Sequence, residues 1–377
     1  MKILLLSAYD AQSHQYWRKG LVTQCNQHKW HVLSLPARFF SWRVRGNSLT
    51  WAYTERKLLS QSYDLIIATS MTDLSALKGL VPNLANIPSI VYFHENQFEY
   101  PKSGLEFSSV EPQITSIYTA LSATRIVFNS EFNRSTFLTG IDALMKKLPD
   151  HVPKGIAGIL NSKSTVIPVP LNSVLPRKHR SSEKSKRLQV LWNHRWEFDK
   201  GPELLYKSLI LLKRKSDDFT IHIVGQRFSQ VPDVFERIKA EFSENIGYWG
   251  YVEDVNEYHE LLYSVDIVLS TADHDFQGLS ILQAVQHGAI PLVPNRLAYP
   301  EHFDCQFLYG TRLSKYNDQY EEIDAISIAK RLYRYSLDKQ ESGVSWHAIQ
   351  QKAKQKLPNL LWENLIHEYR TLFADVV

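Results

Sequence analysis

The chain has 377 residues, more than one core usually serves, and its 44% hydrophobic content is enough to build two. The 43 Lys+Arg against 39 Asp+Glu give a net charge of +4, which does not by itself demand a nucleic-acid partner. Two cysteines, Cys25 and Cys305, lack metal-ligand spacing and fit a reduced cytoplasm. The opening MKILLLSAYD is too short in its apolar part for a secretory signal, and no stretch reaches the roughly 18 apolar residues of a spanning helix, so stable membrane insertion is not expected.

In chain order, Lys2 to Leu6 reads as a strand, Ser13 to Gln27 as a helix and His31 to Leu35 as a second strand. Pro36 to Lys57 follows as a basic aromatic loop. Arg38, Arg43, Arg45, Arg56 and Lys57 are interleaved there with Phe39, Phe40, Trp42, Trp51 and Tyr53, and only Glu55 opposes them. Further strands are expected at Asp64 to Thr69, Ser89 to Phe93, Arg125 to Asn129 and Ser164 to Val169, and the fourth strand delivers His94, Glu95, Asn96 and Gln97 at its C-terminal end. Polar, basic sequence at 173–187 reads as a linker, after which alternation restarts at Leu188 to Trp192, Phe219 to Val224 and Ile246 to Tyr251. Alternating strands and helices call for parallel sheets covered on both faces. The expectation is an α/β chain of two Rossmann-like, doubly wound domains, 1–172 and 188–357, facing a cleft, with the helix in 358–377 returning to the first.

Asp266 to Glu301 carries the densest signal. A buried strand runs to Thr271, a polar turn His274-Asp275-Phe276-Gln277-Gly278 follows, and a helix at Leu279 to His287 leads into a strand at Ala289 to Val293. Such a helix start is an anion site, because its first-turn amides have no intrahelical partners and the helix dipole is positive there. A diphosphate fits that chemistry, and Asp275 and Gln283 are polar groups able to hold the hydroxyls of a sugar and a ribose. The plain alternative is an ordinary crossover with a solvated Asp and Gln.

With these blocks laid out, NHRWEFDKGPELL (193–205), HIVGQRF (222–228), GYVEDVNEYHELLYSVDIVLS (250–270) and HDFQGLSILQAVQHGAIPLVP (274–294) resemble the retaining nucleotide-sugar glycosyltransferases of the GT-B fold. LPARFFSWRVR (35–45) and YFHENQFEYP (92–101) resemble the tRNA-queuosine mannosyltransferase subgroup. The resemblance implies a GDP-mannose donor and a queuosine acceptor in the tRNA anticodon loop. It implies that Arg195 and Lys200 neutralise the donor diphosphate, that Asp275 and Gln283 stand where the family has two glutamates, and that His94 lies near the transferred sugar. Gly278, Leu279, Ser280 and Ser13 complete the expected donor contacts, and Arg38, Trp42, Arg43, Arg45, Glu95, Asn96 and Gln97 the acceptor contacts. In the first loop, Asp10-Ala11-Gln12-Ser13-His14 replaces the glycine pair common in this fold.

Breaking a sugar-phosphate bond places negative charge on the departing diphosphate, so two cations and a helix N-terminus there lower the barrier, and neither a metal nor another cofactor is expected. Surface solvation is the alternative for Arg195 and Lys200, and a hydrogen-bonded core position the alternative for His94. Retention could proceed by front-face attack or through a covalent enzyme intermediate; front-face attack is favoured because no carboxylate stands out as a nucleophile, with Glu95 the one to check. Other functions compatible with the residues are transfer to a lipid or surface glycan, and binding of a sugar nucleotide without turnover, which Gln283 would favour.

Overall fold

The computed structural model describes residues 1–99, 109–174, 185–227, 231–310, 318–340 and 344–377. Residues 175–184 of the expected linker lie outside them. The chain divides into two compact units, Met1–Pro170 with Trp362–Val377, and Leu171–Leu361.

The first unit holds β1 (Lys2–Asp10), β2 (Lys29–Pro36), β3 (Leu65–Thr69), β4 (Ser89–Phe93), β5 (Arg125–Phe128) and β6 (Ser164–Val166), paired in parallel in the order β2-β1-β3-β4-β5-β6. β3 and β4 are buried along their whole length, which is why they read as unbroken apolar runs rather than alternating ones. Helix α1 (Gln12–Gln24) buries His14, Trp17 and Leu21, three residues spaced to share one helical face. The helix Trp362–Val376 packs in this unit, where Trp17 Nε1 donates to the Tyr369 hydroxyl at 3.0 Å and that hydroxyl donates to the Pro168 carbonyl at 3.1 Å.

One expectation fails. Most of the stretch read as a basic aromatic loop is a helix, α2 (Phe40–Thr54). Its periodicity was hidden because polar side chains share the buried face with Val44, Trp51 and Ala52, while other large side chains of the helix point outward. Asn47 and Ser48 are buried, Asn47 donating to the Met71 carbonyl and Ser48 to the Asp73 carbonyl, while Trp42, Leu49 and Tyr53 stand exposed.

The second unit holds β7 (Leu188–Asn193), β8 (Phe219–Val224), β9 (Ile246–Gly250), β10 (Ile267–Leu269), β11 (Ile290–Pro294) and β12 (Leu308–Tyr309), in the parallel order β12-β11-β10-β7-β8-β9. Beyond β7 the chain turns sharply at Gly201, which has φ +64 and where an added Cβ would stand 2.1 Å from the Thr271 carbonyl oxygen. Only glycine lets this turn lie against the end of β10.

Histidines buried as neutral rings make this unit acid-sensitive. His222 Nδ1 accepts the Tyr248 N–H at 3.0 Å and its Nε2 pairs with Gln189 Oε1, an arrangement that a proton on Nδ1 would break. Burial, the largest cause in each case, lowers His222, His194 and His302 from 6.5 to about 4. The unfolded chain therefore gains protons before the folded one does. Stability is complete above pH 6.5 and should be lost as pH falls toward 4, by ~1.4 kcal/mol per pH unit for each histidine. Urea-unfolding midpoints should be clearly lower at pH 5 than at pH 7; equal midpoints would contradict this account.

Candidate active site

Both sheets reverse their strand order once, between β1 and β3 and between β7 and β10. Crossovers leave on opposite faces at such a point, which opens a crevice at the carboxyl ends of the two strands. The candidate donor residues of the second unit follow β7 and β10, while in the first unit Ser13 follows β1 and His94, Glu95, Asn96 and Gln97 follow β4.

In the second unit, Asn193 ends β7 with His194 and Arg195 just beyond it, and Ser270 to Gly278 follow β10. Lys200 is buried beside Asp199, its ammonium 3.0 Å from Asp199 Oδ2 and donating to the His274 carbonyl. Burial works to raise the Asp199 carboxyl, but Lys200, His274 and Arg195 outweigh it and hold the group well below the usual carboxylate range. Arg195 is more open, its side chain 41% exposed and paired with Glu197 at 3.0 Å.

Asp275 folds back on its own turn. Oδ1 accepts the Gly278 N–H at 2.8 Å, and Oδ2 accepts the Tyr299 hydroxyl at 3.0 Å. Burial opposes its charge, yet Lys200, His194 and these two donors together depress its pKa. The Tyr299 hydroxyl also meets Ser270 Oγ at 2.8 Å, and Ser270 Oγ meets His194 Nε2 at 2.9 Å, so one chain of hydrogen bonds joins the ends of β7 and β10. Gly278 caps the helix Leu279–His287 with φ +76 and no side-chain cap, which leaves the Leu279 and Ser280 amides in the uncapped first turn. The Ser280 hydroxyl donates to the Asn193 carbonyl at 2.8 Å and seats that helix start against β7. Gln283 sits half-buried one turn further, its carbonyl accepting from His287 Nδ1.

In the first unit, His94 follows β4 and is buried with no partner for Nε2. Its ring stacks on His14 with centroids 4.1 Å apart and meets the edge of Trp17 at 5.0 Å. Burial, reinforced by His14, holds His94 well below the usual histidine range. His14 Nε2 lies 3.0 Å from Glu95 Oε2, and Ser70 Oγ donates to Glu95 Oε1 at 3.1 Å. Burial opposes a charge on His14, but the Glu95 carboxylate outweighs it and raises His14. Ser13 is exposed in the first turn of α1.

The residues expected on the acceptor side are dispersed. Arg38 and Trp42 are exposed, with the Arg38 guanidinium 5.5 Å from the Phe39 ring centre. Arg43 is buried, its Nε 3.4 Å from the Pro36 carbonyl, and Arg45 is paired with Asp73 at 2.9 Å and Glu111 at 3.2 Å. Asn96 is buried inside its own turn, donating to Asn133 and accepting from the Phe98 N–H. Gln97 is half-buried, its Nε2 3.6 Å from Met71 Sδ. The sequence reading missed His14, Asp199, His194, Ser270, His274 and Tyr299. Only Asp199 carried a signal, an acid adjacent to a candidate cation.

Comparison with known proteins places this geometry in context. The family profile described as tRNA-queuosine alpha-mannosyltransferase N-terminal matches residues 2–171. The tRNA-queuosine alpha-mannosyltransferase of Drosophila melanogaster is 32% identical over 317 residues, covering 82% of this chain and 83% of that protein. Among solved structures, HepE of Anabaena in complex with UDP and glucose superposes with a TM-score of 0.69 at 14% identity, covering 100% of both chains. Sucrose-phosphate synthase of Thermosynechococcus elongatus reaches 0.68 at 14% identity, covering 99% of each. At that identity the likeness bears on fold, which is GT-B with two Rossmann-like units.

The Lys200–Asp199 pair gives a stability test separate from activity. Removing one partner of a buried pair strands the other charge, so Lys200→Met should destabilise the protein by about 3 kcal/mol. Adding Asp199→Asn should recover most of that loss, since no carboxylate then remains without its cation. Urea unfolding of the two variants checks this; equal stabilities would show that the pair is not coupled.

Proposed function

The chain belongs to the tRNA-queuosine alpha-mannosyltransferase family, and from that membership we propose that it moves mannose from GDP-mannose, with retention at the anomeric carbon, onto queuosine in a tRNA anticodon loop. It is a glycosyltransferase. The observation that carries the donor half of this reading is the buried Lys200, beyond β7, held by Asp199 and by the His274 carbonyl on the turn that leads from β10 to the helix start at Gly278.

In the proposed reaction the bond between the sugar C1 and the phosphate oxygen breaks as the acceptor oxygen bonds to C1 on the same face, and the acceptor proton passes to the departing phosphate. Lys200, Arg195 and the Leu279 and Ser280 amides meet the charge that develops on the diphosphate. His94 offers a neutral imidazole whose Nε2 is unpartnered, suited to a sugar or acceptor hydroxyl. Glu95 and Asp275 have both carboxylate oxygens hydrogen-bonded, which supports front-face attack over a carboxylate nucleophile. With tRNA as acceptor, the reaction belongs in the cytosol.

For the acceptor, α2 offers an aromatic surface. The Trp42 ring lies flat on Gly46, where an added Cβ would come within 2.5 Å of the indole, and Trp42 remains 52% exposed. The exposed indole suits stacking of an unpaired base, and the exposed Arg38, whose guanidinium lies 5.5 Å from the Phe39 ring centre, suits a phosphate. Because α2 is a helix with outward aromatics, a lipid-linked acceptor is the second reading. No described helix is long and apolar enough to cross a membrane.

Incubation of the protein with labelled GDP-mannose and either total tRNA or a lipid extract tests the reading. Label should enter tRNA that carries queuosine and be absent from tRNA that lacks it; label in the lipid fraction would favour the second reading. Lys200→Ala should lower turnover by about 10²–10³. Arg38→Ala should reduce the salt slope of tRNA binding by about 0.7, the contribution of one single-strand phosphate contact. An unchanged slope would place the acceptor elsewhere.

A further inference from the structure

The stack of His14 on His94 sets a buried, ion-paired imidazole face to face with a second buried imidazole that keeps one nitrogen unpartnered. Two like rings at 4.1 Å cannot both carry charge cheaply in a dry environment. The surroundings decide which one does. Glu95 at the end of β4 pairs with His14, and Asp10 at the end of β1 adds a second negative charge near it, itself held by Arg18 at 2.6 Å. Around His94 the packing groups are the edge of Trp17, from α1, and the tilted Tyr92 ring, with centroids 4.7 Å away, both uncharged. The positive charge therefore belongs on His14.

We propose that His14 is a positioning residue for the transfer reaction: clamped by Glu95 and stacked on His94, it fixes the plane of the His94 imidazole and keeps that ring neutral, so that Nε2 is presented to a hydroxyl of the substrate. This rests on the reading of His94 as a group that touches substrate. Glu95 then acts through His14, anchored from behind by Ser70. The exposed Ser13 next to it plays no part in the arrangement.

The experiment compares the pH dependence of kcat/KM in the wild-type protein, His14→Phe and Glu95→Gln. Phenylalanine keeps the ring stack and removes the charge, and glutamine keeps the shape of Glu95 and removes the group that holds His14 protonated. Without the neighbouring charge His94 takes a proton at higher pH. The acid limb should therefore move up by about one to three pH units in each variant, the range a close charge produces. The double variant should move no further than the singles. An NMR titration of the His94 side chain in substrate-free His14→Phe should show the same upward shift. A fall in activity at every pH with an unmoved limb and an unmoved His94 titration would reduce His14 to a packing residue and overturn the proposal. If His94→Ala itself transfers sugar normally, the reading of His94 fails instead, and the NMR titration still decides whether His14 controls its protonation.

Discussion

A parallel sheet covered on both faces has no room for unpaired polar side chains along its strands, so reactive groups collect where the strands end. That constraint shapes both units. β3, β4 and β11 are buried at every position, and the first residues beyond each strand include Ser70, His94 and Glu95, and Asn295 and Arg296. Once the order reverses between β7 and β10, the turn at Gly201, the Asp275 turn and the helix Leu279–His287 all start from neighbouring strand ends. The residues gathered there owe their nearness to topology more than to sequence spacing.

Charges brought into these crevices arrive already neutralised. Lys200 has Asp199, His14 has Glu95, and Asp275 has the Gly278 amide and the Tyr299 hydroxyl. A polar cluster assembled this way needs little reorganisation when a charged ligand enters, which is how fixed dipoles stabilise developing charge. The short side chain of Asp275 shows the same economy. It is the right length to close its own turn, and Tyr299, 24 residues further on, holds its second oxygen.

Much of this was legible in the sequence, and the failures have physical causes. The apolar runs at β1, β3, β4, β7 and β8 announced themselves because central parallel strands need apolar residues on both sides. Asp275 stood out because it lies on a polar turn that ends in glycine at a helix start, whereas Lys200 stood out only through the likeness of its block to the GT-B glycosyltransferases. α2 was misread because Arg43, Asn47 and Ser48 share the buried face with Val44, Trp51 and Ala52 while Trp42 and Tyr53 stand outside, which blurs the ordinary amphipathic pattern. The pairing of Arg45 with Asp73 was out of reach because 28 residues and two elements separate them. Tyr299 and His14 were missed for a related reason: each gains its meaning from a partner on another strand end, and no local pattern marks it.

The return of the helix Trp362–Val376 to the first unit bears on how the chain is made. Synthesis runs from the N-terminus, so β1 to β6 emerge well before Tyr369. At 5–20 residues per second the gap is about 10–40 s. During that interval the Trp17 indole lacks the hydroxyl it donates to, and the apolar surface that Leu365, Leu372 and Phe373 later cover faces water. The intervening unit, continuous from Leu171 to Leu361, is complete first. All of the second unit is thus synthesised before the first is complete, and the N-terminal sheet must wait, unsealed, for a helix that follows the whole of the second unit.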